Sequence, residues 1–528
     1  MQPQQAEARR ARAAGRPARR ARRAIRRTLR GSALAVAAGI ACSAHAQSGG
    51  GLKYYVQPSI TVSQTITDNG SLDQDGKADA ITQVTPAVRA SARGPRVQGS
   101  IDYALNGVVY ARESDKSEIQ HRLNLNSSGG LELIENHLFL DATAQASQQL
   151  TTAFGQQTPG GLPGADTTQV YTYSLSPYFV ARLGSAADFT ARVSRSQTFA
   201  PDSSQFGSTS DSAQVSLTSG SSFGRLGWGL VATRTVSDFD ASRRTQADSV
   251  LGSVSYRVVP EFVVRANAGA DWNDYRTVDR TRYDRYGVGF DWRPTVRTSV
   301  SAQVDDRYFG TGYNVSFQHR TPRTAWTLRA VRDVNEVNGR GAAAVTTVFD
   351  LLFAQFASIE PDPLKREQLV LAFLQSNGIA PGTLVFADVL FGAATLQESQ
   401  SLSFALLGRR TTVTVTLTNT RTRRLDTLST GVGDDFENTD FVRQQGVSVN
   451  LAHRLSAVSA ATLTLSEQRN EGELDTQRTR QRTVTLTWTT QTGPRSNLAL
   501  SARHVSFDRD TNPYTENALI GTFSYRFN

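Results

Sequence analysis

The feature that most constrains this chain is an alternation of apolar and polar residues with period two, recurring from Leu52 to the C-terminus. Successive side chains of a β-strand point to opposite faces, so this pattern makes strands with one apolar and one polar side. Val413, Val415 and Leu417 alternate with Thr412, Thr414, Thr416 and Thr418, and Val484, Leu486 and Trp488 with Thr483, Thr485 and Thr487. Tyr286, Val288, Phe290 and Trp292 stand against Arg285, Gly287, Gly289 and Asp291, and Leu138, Leu140 and Ala142 less cleanly against Phe139, Asp141 and Thr143. A soluble sandwich would turn the apolar face to a core, whereas a membrane barrel would turn it to lipid. Alternation does not separate the two, so the connections must.

Counting segments predicts about 22 strands. Short links fall at Gly94-Pro95-Arg96, Glu135-Asn136, Gly184-Ser185, Gly224-Arg225, Pro260-Glu261, Pro294-Thr295, Pro322-Arg323, Gly408-Arg409, Ser456-Ala457 and Gly493-Pro494. Between them lie longer polar links, including 66–78, 151–168, 200–212, 422–443, 468–480 and 508–516. Short turns at one end and long loops at the other are the asymmetry of bacterial outer-membrane barrels. Hydrophobic residues make up 39%, and no apolar run approaches the roughly 18 residues of a membrane-spanning helix. The expected fold is therefore all-β: a transmembrane antiparallel outer-membrane β-barrel with both mature termini at the periplasmic end. The last strand alternates Phe523, Tyr525 and Phe527 behind Gly521, with Asn528 beyond the final aromatic. It resembles the terminal signal read by the outer-membrane insertion machinery, an expected partner. Trp228, Trp292, Trp326 and Trp488 all fall near the short-link end, where an aromatic girdle belongs.

The net charge of +10 does not mark a nucleic-acid binder, because residues 1–46 hold eleven Arg and one Glu and account for all of the excess. This Arg-rich stretch, the apolar run Ala33 to Ala44 and the small-x-small site Ala44-His45-Ala46 before Gln47 read as a cleaved secretory signal, with residues 47–528 as the barrel. Two alternatives stand beside it: a twin-arginine signal at Arg26-Arg27, poorly matched by Leu29 and Arg30, and a lipoprotein box at Gly39-Ile40-Ala41-Cys42. Cys42 is the only cysteine and Met1 the only methionine, so cleavage after Ala46 would leave a chain without disulfides, thiolate metal sites or cysteine nucleophiles.

One segment departs from strand spacing. Residues 343–395 carry a helical series with Phe349, Phe353 and Phe356 beside Val345, Val348 and Leu352. Asp362 then serves as N-cap, Pro363 as the first helical residue, Leu364, Leu371, Phe373 and Leu374 as the apolar series, and Gly378 as the stop. A third short helix is expected over Val385 to Phe391. This insertion is either a structured loop packed on its own hairpin or a plug or cap of the barrel.

Motifs for catalysis are weak. Gly220-Ser221-Ser222-Phe223-Gly224 has the spacing of a nucleophile elbow but lacks the strand-turn-helix setting. His121, His137, His319, His453 and His504 lie on different strands without metal-ligand spacing. The acidic loop with Asp68, Asn69, Asp73, Asp75 and Gly76 has Ser71 and Thr82 where a calcium loop needs ligands, so it reads as a solvated external loop. Asp434, Asp435, Glu437 and Asp440 read the same way, with an acidic rim able to take divalent cations that bridge lipopolysaccharide. No cofactor, metal site or catalytic residue is expected.

Four features together resemble the outer-membrane proteins associated with PEP-CTERM and exosortase systems. They are Ile66-Thr67-Asp68-Asn69 after the first strand, the central insertion, the run from Gly408-Arg409-Arg410-Thr411-Thr412-Val413 to Arg423-Arg424-Leu425, and the aromatic final strand. The chain is also similar to porin-like proteins encoded beside exopolysaccharide export genes. The resemblance covers nearly all of the mature chain and implies a role in making, exporting or anchoring exopolysaccharide or sorted surface material. It supplies no catalytic residues. Expected partners are outer-membrane lipid and lipopolysaccharide, the insertion machinery, and exopolysaccharide or its export apparatus. The leading reading is a non-enzymatic export barrel; a docking barrel closed by its helices is second and an outer-membrane hydrolase third.

Overall fold

The computed structural model describes residues 53–335 and 389–527 apart from 128–129, 157, 160–161, 430 and 511, together with Phe353, Phe356, Arg366 and Val370. The alternating runs form antiparallel strands: β1 (Lys53–Thr67), β2 (Asp79–Arg93), β3 (Gln98–Tyr110), β4 (Glu118–Asn126), β5 (Leu131–Ile134), β6 (Leu138–Leu150), β7 (Thr167–Leu183), β8 (Ala187–Phe199), β9 (Ser208–Ser219), β10 (Leu226–Phe239), β11 (Thr245–Val259) and β12 (Phe262–Asn273). The second half holds β13 (Thr281–Thr295), β14 (Thr298–Arg307), β15 (Gly310–Arg320), β16 (Thr324–Asn335), β17 (Thr395–Leu407), β18 (Thr411–Arg424), β19 (Phe441–Arg454), β20 (Ser459–Glu471), β21 (Arg478–Gln491), β22 (Ser496–Arg509) and β23 (Tyr514–Arg526). β4 and β5 both pair with β6 and make one stave, interrupted where Ser127 bonds the Ala142 carbonyl through N and Oγ. The sheet thus has 22 staves, and it closes on itself where β1 pairs with β23 from Ser59↔Arg526 to Thr67↔Ala518. A closed antiparallel barrel leaves no sheet edge open to another chain.

Side-chain exposure separates the two faces. Tyr286, Val288, Trp292, Val484, Leu486 and Trp488 are exposed on the outer wall, while their neighbours in the alternation face the lumen. Glycines on the inner face of β13 serve close packing: a Cβ on Gly287 would stand 1.8 Å from Asp305 Oδ1, and one on Gly289 2.3 Å from Gln303 Oε1. Trp228, Trp292, Trp326 and Trp488 lie on strand ends at the short-turn rim, with Trp326 against Phe404 at 4.3 Å. The fifth, Trp272, sits at the far end of β12 under the Arg282 guanidinium.

The short links hold where expected, at two to six residues each, except that β13 continues through Pro294 and Thr295 and turns at Val296-Arg297. The long links shrink instead: 151–168 becomes 151–166 and 422–443 becomes 425–440, because strand pairing continues beyond the apolar stretch.

The expected helical insertion falls mostly outside the described residues, Phe349, Leu371, Phe373 and Leu374 included, as do Ala44, Ala46 and Gln47 of the expected cleavage site. Phe353, Phe356, Arg366 and Val370 are helical, Phe356 and Val370 are buried, and the Arg366 guanidinium lies 4.8 Å over the Phe353 ring. These isolated positions do not establish the expected helices. One expectation is corrected: of Val385 to Phe391, residues 389–391 are not helical, and Val389 makes a parallel bridge to Leu150. Leu390 N bonds the Leu150 carbonyl at 3.1 Å, so the backbone pairs with the barrel wall and not with itself. The insertion also ends earlier than expected, since Thr395 begins β17.

Candidate functional site

At the long-loop end the segment Val389–Ala394 runs inward from β17 to the end of β6, the sixteenth and fifth of the 22 staves, on opposite sides of the barrel. A round barrel of 22 staves would be roughly 44 Å across, whereas the six steps from Val389 to Thr395 span at most about 21 Å. The mouth is therefore drawn in, and this strap holds it. Three of its side chains reach different walls: Leu390 packs with Val170, Ala200 and Phe206. Phe391 stacks on Phe436 at 5.1 Å beside Ala153, Phe154 and Val442. Ala394 meets Phe239, Tyr275 and Leu425. Full burial of a Leu or Phe contributes about 1.5–3 kcal/mol, so these contacts anchor both ends of the strap.

Three carboxylates lock the loops around it. Asp434 is buried; its Oδ2 accepts from Gly392 N at 3.0 Å, and its Oδ1 from Arg424 Nη2 at 2.9 Å and Phe436 N at 3.1 Å. Asp435 accepts from Thr152 Oγ1 at 2.5 Å and Ala153 N at 2.7 Å. Burial raises its carboxyl above the ordinary value of 3.8, and the neighbouring Asp434 and Asp166 add to the rise while the two hydrogen bonds oppose it. Asp426, fully buried, accepts from Arg243 Nε at 3.1 Å, Leu428 N at 3.0 Å and Ser429 Oγ at 2.6 Å. Arg243 belongs to the β10–β11 link and Asp426 to the β18–β19 link, so this pair spans the mouth. The reading of Asp434 and Asp435 as parts of a solvated loop is corrected, although Glu437 and Asp440 are exposed. The error arises because the partners lie up to 283 residues away in sequence.

The first acidic loop is likewise no free loop but the clasp of the barrel seam. Thr67 Oγ1 donates to Glu516 at 3.0 Å, and Asp68 accepts from Asn517 N and Nδ2, both at 2.7 Å. Asn69, buried, donates to the carbonyls of Thr515 at 2.9 Å and Asp73 at 2.8 Å. Arg503 completes the clasp with two bonds to buried Glu516 at 3.1 and 2.7 Å. Two of the runs that carry the family resemblance thus occupy structural joints: Ile66-Thr67-Asp68-Asn69 at the seam, Arg424-Leu425 at the mouth.

The lumen has two kinds of wall. On β12, β13, β14 and β16, Arg285 and Arg307 are shared among Asp271, Asp305 and Asp333, with Arg307 at 3.1 Å from Asp271 and 2.7 Å from Asp333. Arg265 pairs with Asp291 in the same face. Elsewhere the inner face is mainly hydroxyl, broken by the neutral pairs Arg89–Asp102, Arg192–Asp141 and Arg503–Glu516: Thr172 bonds Thr198 at 3.0 Å, Ser210 bonds Ser237 at 3.2 Å, Ser399 bonds Thr420 at 3.2 Å and Thr487 bonds Ser501 at 2.9 Å.

The catalytic candidates are not brought together. Ser222 sits in a short turn and donates to the Ser185 carbonyl at 2.9 Å, with no histidine partner. His121, His319, His453 and His504 each bond a side chain on the next strand: Tyr103, Thr298, Thr411 and Asn517. His137 bonds the Glu135 carbonyl.

No protein-family model and no curated protein matches the chain. Among solved structures it is similar to a ferric enterobactin receptor variant from Pseudomonas aeruginosa in complex with enterobactin, with a TM-score of 0.45, 9% identity and coverage of 91% of this chain and 82% of that one. It is also similar to the siderophore receptor PirA from Acinetobacter baumannii, with a TM-score of 0.42, 8% identity and coverage of 91% and 81%. A third is the outer membrane protein opdK from Pseudomonas aeruginosa, with a TM-score of 0.34, 9% identity and coverage of 90% and 99%.

Proposed function

We propose that the chain is a non-enzymatic outer-membrane barrel that carries or supports export of a hydroxyl-rich polymer such as exopolysaccharide. It is delivered through its Arg-rich leader and sits with the long-loop mouth outward. The observation that carries this reading is the hydroxyl-rich lining of β7–β10 and β17–β22, where the inward Arg192 and Arg503 are each answered by a carboxylate. Ser and Thr hydroxyls both donate and accept, so they exchange hydrogen bonds with sugar hydroxyls without holding a charged polymer fast. The exposed apolar outer wall supports placement in lipid, and the resemblance to PEP-CTERM-associated proteins supports the link to exopolysaccharide.

The test is single-channel recording in planar bilayers with neutral oligosaccharides of increasing length added on one side. Transient current blocks that lengthen with the oligosaccharide are expected, with little preference between small anions and cations. Silence both from the intact chain and from a variant with its mouth released would overturn it. The strap and its clamps favour one second reading, a docking barrel held shut, and that same silence is what it requires.

A further inference from the structure

On the outer wall of β18–β21 the apolar band stops early. Val415, Val449, Leu465 and Val484 form one cross-strand row. Toward the long-loop end, the next row already holds Glu467 opposite Arg482, and the rows beyond set Arg469 against Arg480 and Arg421 against Arg443. From Trp488 at the short-turn rim to Arg482 is six residues along a tilted strand, a height of about 15 Å, against an apolar band of about 25 Å in such barrels. Glu467 and Arg482 therefore stand where a lipid of ordinary depth would present its chains, and Arg421 and Arg443 stand two rows further out, where such a band ends.

Like charges directly opposite one another destabilise a sheet, so the arrangement calls for a counter-charge. Glu467 supplies part of it, with Arg469 at 2.6 Å, Arg480 at 2.8 Å and Arg482 at 3.3 Å. Arg421, Arg423 and Arg443 carry no ion pair among the described residues. Arg421 lies 4.5 Å over the Phe441 ring with its Nε unpartnered, and Arg443 Nε donates to Asn419 at 3.1 Å. Glu398, opposite Arg421, accepts from Tyr313 Oη at 2.9 Å, and Glu471 is opposite Arg443.

We propose that this face binds the phosphate groups of a phosphorylated glycolipid in the outer leaflet. Arg421, Arg423 and Arg443 form its core, and the Glu467-held arginines its flank. Planar guanidinium forks match phosphate oxygens, and the lipid's chains would cover the apolar rows below. The inference rests on the outward placement of the long-loop end.

The test uses the full chain in nanodiscs with three probes: bisphosphorylated lipid A, the same lipid stripped of phosphate, and inorganic phosphate. Lipid retained per barrel is read by native mass spectrometry. The variant Arg421→Gln/Arg423→Gln/Arg443→Gln should lose about tenfold in retention of the phosphorylated lipid. Arg234→Gln, on the outer face of distant β10, should lose nothing, and heat-modifiable migration reports that each variant is folded. Unchanged retention in the triple variant, equal retention of the phosphate-free lipid, or full displacement by millimolar inorganic phosphate would each overturn the proposal. Labelling of Glu437→Cys from outside intact cells reads orientation separately. Outside labelling without lipid retention sinks the lipid site alone, whereas labelling only from within sinks the outward placement as well.

Discussion

Asp426 shows how a single side chain holds distant loops. It is fully buried and its charge is answered mainly by Arg243, so Asp426→Asn leaves a half-buried guanidinium with only the more distant Asp274 carboxylate at 3.8 Å. Breaking such a pair costs about 3 kcal/mol, and the variant should show faster tryptic cleavage at Arg243-Arg244 than the parent. Unaltered cleavage would mean the strap contacts alone hold the mouth. Asp435 adds a dependence on pH. Its folded carboxyl titrates above the ordinary value of 3.8, so the loop contact gains stability from the proton. That gain is complete below the unfolded value and is lost as pH rises through the folded one. The 151–166 loop should therefore be better protected from proteolysis by pepsin-class and neutral proteases, each normalised to an unstructured substrate, near pH 4 than at pH 7. In Asp435→Asn, which mimics the protonated form, protection should be nearly independent of pH. A parent protein with equal protection at both pH values would refute the coupling. Neither aspartate was legible as a joint, because a carboxylate in a polar run looks the same whether water or a distant loop satisfies it.

At the scale of elements, strands were legible because period two is written locally and each run has one apolar face. Their order was legible too, since every stave pairs with its chain neighbour and only the seam joins residues far apart. The split between β4 and β5 was not, because Ser127 leaves the ladder through a bond to Ala142 that no pattern announces. Nor was the strap: a segment whose side chains go to different walls has no period of its own. The last strand offers a test of the seam. Deleting Phe523–Asn528 removes the pairs from Ser59↔Arg526 to Val62↔Phe523 and exposes the edge of β1. Insertion should fail, read as loss of the heat-modifiable band from outer-membrane fractions. Phe527→Ala should be milder, since Phe527 joins β1 through its backbone N, which bonds the Pro58 carbonyl at 3.0 Å and survives the substitution, while its ring packs edge-on to Tyr525 at 5.2 Å. Normal assembly of the truncated chain would show that the remaining seam pairs from Ser63↔Thr522 to Thr67↔Ala518, with the clasp of Asp68, Asn69 and Glu516, suffice to close the barrel.

Across the whole molecule the two rims differ in charge and in shape. Arg96, Arg225, Arg297, Arg323, Arg409, Arg410 and Arg495 lie in the short turns, whereas the long links carry Asp68, Asp166, Asp240, Asp274, Asp426, Asp434 and Asp435. A basic rim suits an anionic phospholipid surface, in keeping with short turns toward the periplasm. The far mouth is narrowed by a strap of only six residues, which cannot by itself fill a lumen of this girth. The insertion that leads into the strap is the remaining candidate, and its Phe356 and Val370 are already buried. Its apolar stripes would be costly in water at about 25 cal/mol per Å², so they must lie against something. Shape and plug can be separated by two variants. Removing residues 343–388 while keeping Val389–Ala394 leaves the mouth drawn in, and it should raise a large, steady conductance in bilayers if the insertion occupies the lumen. Gly392→Val does the reverse: a Cβ there would stand 2.3 Å from Val432 Cγ1, so the strap must leave its seat while the insertion stays. It should produce only flickering openings. A deletion variant that assembles yet conducts no more than the parent would eliminate the plug and leave the drawn-in mouth as the sole barrier.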